Sequence, residues 1–341
     1  MFTRLGKQPT ETRLAELMGL LQTLCLETSA LRRSSLFLVG GYGRGEGGDH
    51  ADSSDSVELK NNLDLLLVST NRILAKIGQS QLRQAIARHN SQIPIEITLS
   101  SKSRTRLDHP DQFNFDLRSQ SYPIHDGLRL TGRQFKAAQP PPAGESIITL
   151  RNRAVLLLMA QDKTLTDGRR RTLIAKFLHG VLDAICLHNG SYTTLINDKE
   201  AQLRSEGLRH YFEDQAAYQW FRRAVHHASC YRFYSTKARE LNQAATEASA
   251  RLRPVAMKIL SIPPGVDGNA LTTLLEKRYA AYPKQTLRTL FKLARARGQP
   301  SVAHAGGVSG LSASIIHAAF IDNPPPSELE SVCRRFKMLI E

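Results

Sequence analysis

Acidic residues are scarce in this chain. Its 341 residues include 31 Asp and Glu against 46 Lys and Arg, a net charge of +15 with a pI near 9.9. The excess sits mainly beyond residue 140 and points to polyanions as partners, nucleic acid first. Cysteine is also sparse. Cys25, Cys186, Cys230 and Cys333 are widely scattered, with no CxxC pair and no metal-ligand spacing, so reduced, buried thiols are expected. Long apolar runs are missing as well. The longest is Ala154 to Ala160, too short to cross a bilayer, and the charged stretch from Met1 to Leu17 has no apolar core of a signal peptide. A cytoplasmic protein without a membrane partner is the expectation. No nucleophile elbow, Walker loop, dinucleotide fingerprint or kinase signature occurs, and no internal repeat. At 41% apolar residues, the chain nonetheless holds enough hydrophobic material for real cores.

The order of patterns suggests an α+β protein, a small mixed-sheet domain over residues 1–138 followed by an all-α domain over 145–341. Leu14, Leu17, Leu21 and Leu24 give helical spacing over Thr10–Cys25. Leu36–Val39 and Leu63–Val68 read as short strands, with a helix over Ile73–His89 after them. Ile93, Ile95, Ile97 and Leu99 alternate with polar residues and predict a third strand with one wet face. Phe113–Leu117 alternates similarly and predicts a fourth strand, and Tyr122–Gly127 a strand end and turn. The proline-rich stretch 139–144 can continue neither helix nor sheet. Beyond it, helical spacing covers Leu150–Gln161, Arg171–Leu187, Tyr211–Ala228, Ser235–Leu252 (ending at Arg253-Pro254), Ala270–Ala281 and Lys284–Arg297, with a second division at 262–266.

Two blocks carry the chemistry. Gly40-Gly41-Tyr42-Gly43-Arg44-Gly45-Glu46 runs off the first strand, and Gly43–Glu46 is read as the opening of a short helix. Asn61-Asn62-Leu63-Asp64 leads into the second strand. Glycines let backbone N–H groups approach a phosphate, and an acid opposite them can hold a metal on it. Arg44 has two roles open to it, a fork on phosphate oxygens or an internal partner for Glu46.

These blocks resemble the nucleotidyltransferase superfamily typified by DNA polymerase beta, with its bacterial aminoglycoside and minimal members. The paired glycines Gly40 and Gly41, the Arg44-Gly45-Glu46 element and Asp64 fall on the family's pattern, over roughly residues 36–100. The resemblance implies transfer of a nucleoside monophosphate from an NTP, with Mg²⁺ or Mn²⁺ held by Asn62, Asp64 and Glu96, and with Gly40, Gly41, Gly43 and Arg44 on the triphosphate. Asp64 and Glu96 would be catalytic, Glu96 drawing the proton from the acceptor. The acceptor would be an anionic molecule or RNA on the helical domain.

One departure matters. Asn62 stands where the family has its first acid, so the site lacks a charge. The acidic loop between the blocks is either solvated or folds back to supply a carboxylate, Asp55 or Glu58. Two function classes therefore stand side by side: a working transferase, or a degenerate one that binds nucleotide or RNA without turnover. Other features carry weaker signals. The basic stripe Lys284, Arg288, Lys292 and Arg295 is a phosphate-tracking helix face or a solvated one, and the knot Arg169-Arg170-Arg171 an anion site or a loop. The His226-His227/Cys230 group lacks a fourth metal ligand and reads as core or interface. The glycine-rich 304–310 stretch lacks the preceding strand of a phosphate loop. Tyr122 and His125 lie near the end of the mixed domain, a region that can face the cleft.

Overall fold

The computed structural model describes residues 1–48, 62–89, 95–101, 110–131, 139–162, 164–234, 238–263, 265–266, 268–280, 315–317 and 319–320. The fold is mixed α+β and mostly helical, with one four-stranded mixed sheet. The chain divides into two compact units, Met1–Pro142 with Thr193–Leu195 and Ser229–Lys237, and Ala143–Tyr192 with Ile196–Ala228 and Ala238–Glu341.

In the first unit, α1 (Gln8–Glu27) and the single turn α2 (Ser29–Arg32) lead into β1 (Ser35–Val39). The chain then forms the short α3 (Gly40–Gly43), β2 (Leu63–Ser69), α4 (Arg72–His89), β3 (Ile95–Ser101), α5 (Gln112–Ser119) and β4 (Tyr122–Asp126). The strand order is β3-β2-β1-β4. β1 is antiparallel to both neighbours, and β2 and β3 are parallel, joined through α4. That arrangement follows from connection lengths, because a parallel pair needs a long crossover. Pro123 lies in β4, an edge strand, where the register against β1 shifts between Leu36 and Phe37. An edge strand beside a bulge tolerates the missing N–H.

Period-two alternation assigns the two sheet faces. Leu36, Leu38, Leu63, Leu65, Leu67 and Ile97 pack with Leu14, Leu21 and Met18 of α1 and Leu82 of α4. Phe37, Leu66 and Val68 face the other way, against Leu117 and Leu130. Asp64 has the parity of Leu66 and Val68, so it belongs to this second face, at the end of the apolar cluster.

Phe113–Leu117 is not a strand. It lies in α5, capped by Asp111, whose carboxylate accepts from the Asn114 N–H at 2.7 Å. Asn114, Leu117 and Arg118 are the buried positions, at three-and-four spacing, and this outweighs the Phe113/Phe115 alternation. The short helix of the glycine turn starts at Gly40 rather than Gly43, with Arg44 and Gly45 in the turn that ends it.

β4 ends on a carboxylate that holds the corner. Asp126 accepts from the Ser35 hydroxyl at 2.7 Å, from the Leu130 N–H at 2.7 Å, and from the Thr131 N–H and hydroxyl at 2.8 and 2.6 Å. Burial pushes its carboxyl pKa up, but the hydrogen bonds from Thr131, Leu130 and Ser35 outweigh burial and hold it below the usual carboxylate value. A depressed folded-state pKa stabilises the fold above the unfolded value of about 3.9, and that stabilisation is lost as pH falls through the folded value. Asp126→Asn is expected to cost about 1–3 kcal/mol at neutral pH, because its amide would face the donors of Thr131. Urea unfolding should show the gap to the parent chain closing as pH drops below about 4.

The second unit is helical: α6 (Glu145–Ala160), α7 (Asp167–His188), α8 (Ile196–Arg204), α9 (Gln215–Tyr234, its final turns counted with the first unit), α10 (Glu240–Ile259) and α11 (Gly268–Ala280). α7 is the central helix; Ile174, Phe177, Leu178, Val181, Leu182 and Ile185 are fully buried. Several helix boundaries differ from expectation, α6 among them, which starts at Glu145 rather than Leu150. α7 begins four residues early because Thr166 caps it, so Arg169, Arg170 and Arg171 lie in its first turns rather than before them. Arg170 is bound to the Ala160 carbonyl, and Arg171 to the Asp167 carbonyl. α9 begins after Asp214, whose carboxylate accepts from the Ala217 N–H, and Arg209–Tyr211 is a separate 3-10 turn. α10 begins at Glu240 and runs through Pro254 instead of stopping there. A proline inside a helix costs about 3 kcal/mol. Here burial of Val255, Ala256 and Ile259 beyond it offsets that cost.

Candidate functional site

The site is built where β1 ends and β2 and β3 begin. Val39 is the register partner of Asp64, and Asp64 is the partner of Glu96. Parallel neighbours in register share a face, so the two carboxylate residues stand side by side on strands about 4.8 Å apart. Ile97 beside Glu96 is buried and Glu96 itself is exposed, as the alternation requires. Asp64 is half-buried. Asn62 lies just before β2 and is exposed. The structure therefore brings Asp64 and Glu96 together at one register position, with Asn62 two residues ahead of Asp64 along the chain.

The glycine turn closes on the same point. Gly40 has φ of +69°, and a Cβ placed there would stand 2.6 Å from Asp64 Oδ2. Glycine at 40 is thus required twice, by the left-handed backbone and by the carboxylate against it. A Cβ at Gly43 would meet the Leu38 carbonyl oxygen, so the short helix packs directly on the β1 backbone. The first N–H groups of any helix lack intrahelical acceptors and face outward from its start. In α3 that start is Gly40, beside Asp64.

Arg44 Nε donates to Glu46 Oε2 at 3.3 Å, and both side chains are largely buried. This is the internal-partner role of the two open from sequence. The bond to Glu46 fixes the guanidinium beside the turn that ends α3. The N-terminal segment braces the turn from behind. Thr3 bridges Gly47, the Gly47 N–H donates to the Phe2 carbonyl, and the Arg4 N–H donates to the Gly47 carbonyl. Glu11 holds that segment, accepting from the N–H groups of Phe2 and Thr3 at 2.7 Å each. Glu11 also lies in the first turn of α1, where an acid suits the helix dipole. Its role as a clamp has no local sequence signature, because it acts through tertiary contact.

The other candidates separate. Tyr122 pairs with Leu38 at the turn end of β4, and its ring meets Phe2 edge-on at 5.1 Å. His125 pairs with Leu36, farther along β1, with Nε2 3.2 Å from the Arg32 carbonyl oxygen. His226 and His227 lie on α9 with ring centroids 6.1 Å apart. Among the described residues, no three His, Cys, Asp or Glu side chains form a metal-holding group. Asp55, Glu58, Lys284, Arg288, Lys292, Arg295, Cys333 and residues 304–310 lie outside the described residues. Cys25 and Cys186 are fully buried, and burial pushes both thiols up to about 12, which makes them inert as nucleophiles. No described helix is long and apolar enough to cross a membrane.

This chain matches no family model, no curated protein and no solved structure. The functional reading therefore rests on the geometry of the β1–β2–β3 end and on the residues placed there.

Proposed function

We propose that the first unit is a nucleotidyltransferase-like domain of the DNA polymerase beta type, transferring a nucleoside monophosphate from an NTP to an acceptor. The observation that carries this reading is the shared register of Val39, Asp64 and Glu96, with Gly40 pressed against the Asp64 carboxylate. Mg²⁺ is commonly held by one or two carboxylates plus substrate phosphates rather than by an all-protein cage. A side-by-side Asp64/Glu96 pair is a donor set of that kind. Bound there, the metal would neutralise charge developing on the phosphates. Asp64 and Glu96, helped by Asn62, would hold it, Gly40, Gly41 and Gly43 would keep the backbone close to the triphosphate, and Arg44, steadied by Glu46, would add positive charge. Glu96, exposed on the edge strand β3, would take the acceptor's proton. The basic helical unit supports an anionic acceptor, RNA included.

A second reading keeps the nucleotide and drops the turnover. Asn62 favours it: a neutral, exposed amide ligates a metal more weakly than a carboxylate, and the loss falls hardest on the transition state. The two are separated by incubating the whole chain with α-labelled NTPs, Mg²⁺ or Mn²⁺, and RNA or protein acceptors. Label transfer that falls at least about a hundredfold in Asp64→Asn is the outcome expected for the enzyme. Asn62→Asp should raise it. Metal-dependent NTP binding without transfer selects the binding module, and no NTP binding under either metal overturns both.

A further inference from the structure

We propose that a cleft between α8 and α9 is a binding site for the phosphoryl group of a small phosphomonoester. The proposal is independent of the nucleotide reading, since every residue it uses lies in the helical unit. The cleft has a volume of about 230 Å³. Glu200 and Arg204 reach it from one face of α8, and Arg222, Arg223 and His226 from one face of α9, at spacings of three and four that align them on their helices. Buried Leu203 and Val225 contribute its apolar wall. The Tyr218 hydroxyl donates to the Leu203 carbonyl and ties the two helices together across the cleft.

Charge decides the ligand. Three guanidiniums meet one carboxylate, Glu200, which lies 3.5 Å from Arg204. Arg222 is steadied by Gln219 at 3.3 Å, a neutral partner. Arg223 is exposed and has no acidic partner among the described residues. Three arginines against one glutamate leave the lining two positive charges in excess, which matches a phosphate monoester of about −1.5 to −2. Guanidinium forks suit phosphate oxygens in geometry as well as charge. Size argues for a small ligand rather than a polymer, because the cleft is below the roughly 300–1,000 Å³ of pockets that enclose drug-sized molecules. From sequence, only His226 of this group stood out, as part of the His226-His227/Cys230 group read as core or interface. Arg204 stayed hidden because α8 had no sequence reading of its own, and Arg222 and Arg223 because their convergence on α8 is a tertiary contact.

The test is calorimetric titration of the full-length chain at low ionic strength with inorganic phosphate, ribose 5-phosphate, ribose, and a single-stranded oligoribonucleotide lacking terminal phosphates. Saturable binding of the two phosphates, with none of ribose, is the expected result. Arg222→Gln/Arg223→Gln should weaken it by about tenfold or more, and Arg223→Lys by less, since it keeps charge without the fork. Arg253→Gln, at an exposed arginine of α10 outside the cleft lining, should leave it unchanged, which separates this site from general positive charge. Circular dichroism checks that each variant folds. Phosphate binding that is absent, or undiminished in the folded double variant, overturns the proposal, as does binding of the oligonucleotide alone. Failure of NTP transfer in the separate assay does not bear on it.

Discussion

Lys199→Met is expected to lower the unfolding free energy by about 3–5 kcal/mol, the range found when one partner of a buried ion pair is removed. Lys199 is 4% exposed, with Nζ 2.5 Å from Asp183 Oδ1 and 4.5 Å from the Tyr192 ring centroid. Asp183 sits on α7 and Lys199 on α8, so the pair pins a short helix to the centre of its unit. Methionine fills the volume but leaves the Asp183 carboxylate facing a nearly dry interior. The sign of the double variant is the sharper test. Asp183→Leu/Lys199→Met removes both charges, and a buried pair replaced by apolar groups is often neutral or stabilising. Urea denaturation of the parent, both single variants and the double variant should therefore show two large losses and near-recovery. If the single variant is as stable as the parent, the pair is solvated and does not pin α8.

The sheet was legible because its strands are short, apolar and correctly phased. Leu36–Val39 and Leu63–Val68 have no competing helical reading, and Ile95, Ile97 and Leu99 alternate cleanly. Phe113–Leu117 misled because alternation over five residues is also compatible with a helix whose buried set is Asn114, Leu117 and Arg118. The deciding signal was the cap at Asp111, which the short aromatic pattern overshadowed. Pro254 misled in the opposite direction, since a local breaker was overridden by burial on both sides of it. α8 is too short and too polar for its pattern to announce itself.

At the candidate site, the residue types were legible and their mutual placement was not. Sequence supplied Gly40, Asp64 and Glu96 as separate signals. Their common register depends on which strands pair and in which direction, a property of the whole sheet. The two roles open to Arg44 differ only by its contact with Glu46, two residues away, which a sequence does not display. The Phe2–Gly47–Glu11 brace was invisible for the same reason.

The turn itself offers the second large effect, through two glycines that do different work. Gly43→Ala is expected to cost about 3 kcal/mol, because its Cβ would enter the Leu38 carbonyl, and backbone of the inner strand β1 cannot yield as a flexible side chain can. Gly40→Ala meets a different obstacle. Its φ of +69° carries a strain of about 1–3 kcal/mol for a residue with a Cβ. The atom lying 2.6 Å from that Cβ is Asp64 Oδ2, the end of a side chain that can rotate away. Gly40→Ala should therefore remain folded while its Asp64 carboxylate leaves the position beside Glu96. Metal-dependent NTP binding should then fall about tenfold or more, although no ligand-contacting side chain has been removed. In Gly43→Ala, loss of binding should instead track loss of fold across a urea series. Equal binding in Gly40→Ala and the parent would mean that the Asp64 rotamer is immaterial, and the metal role assigned to it would fall.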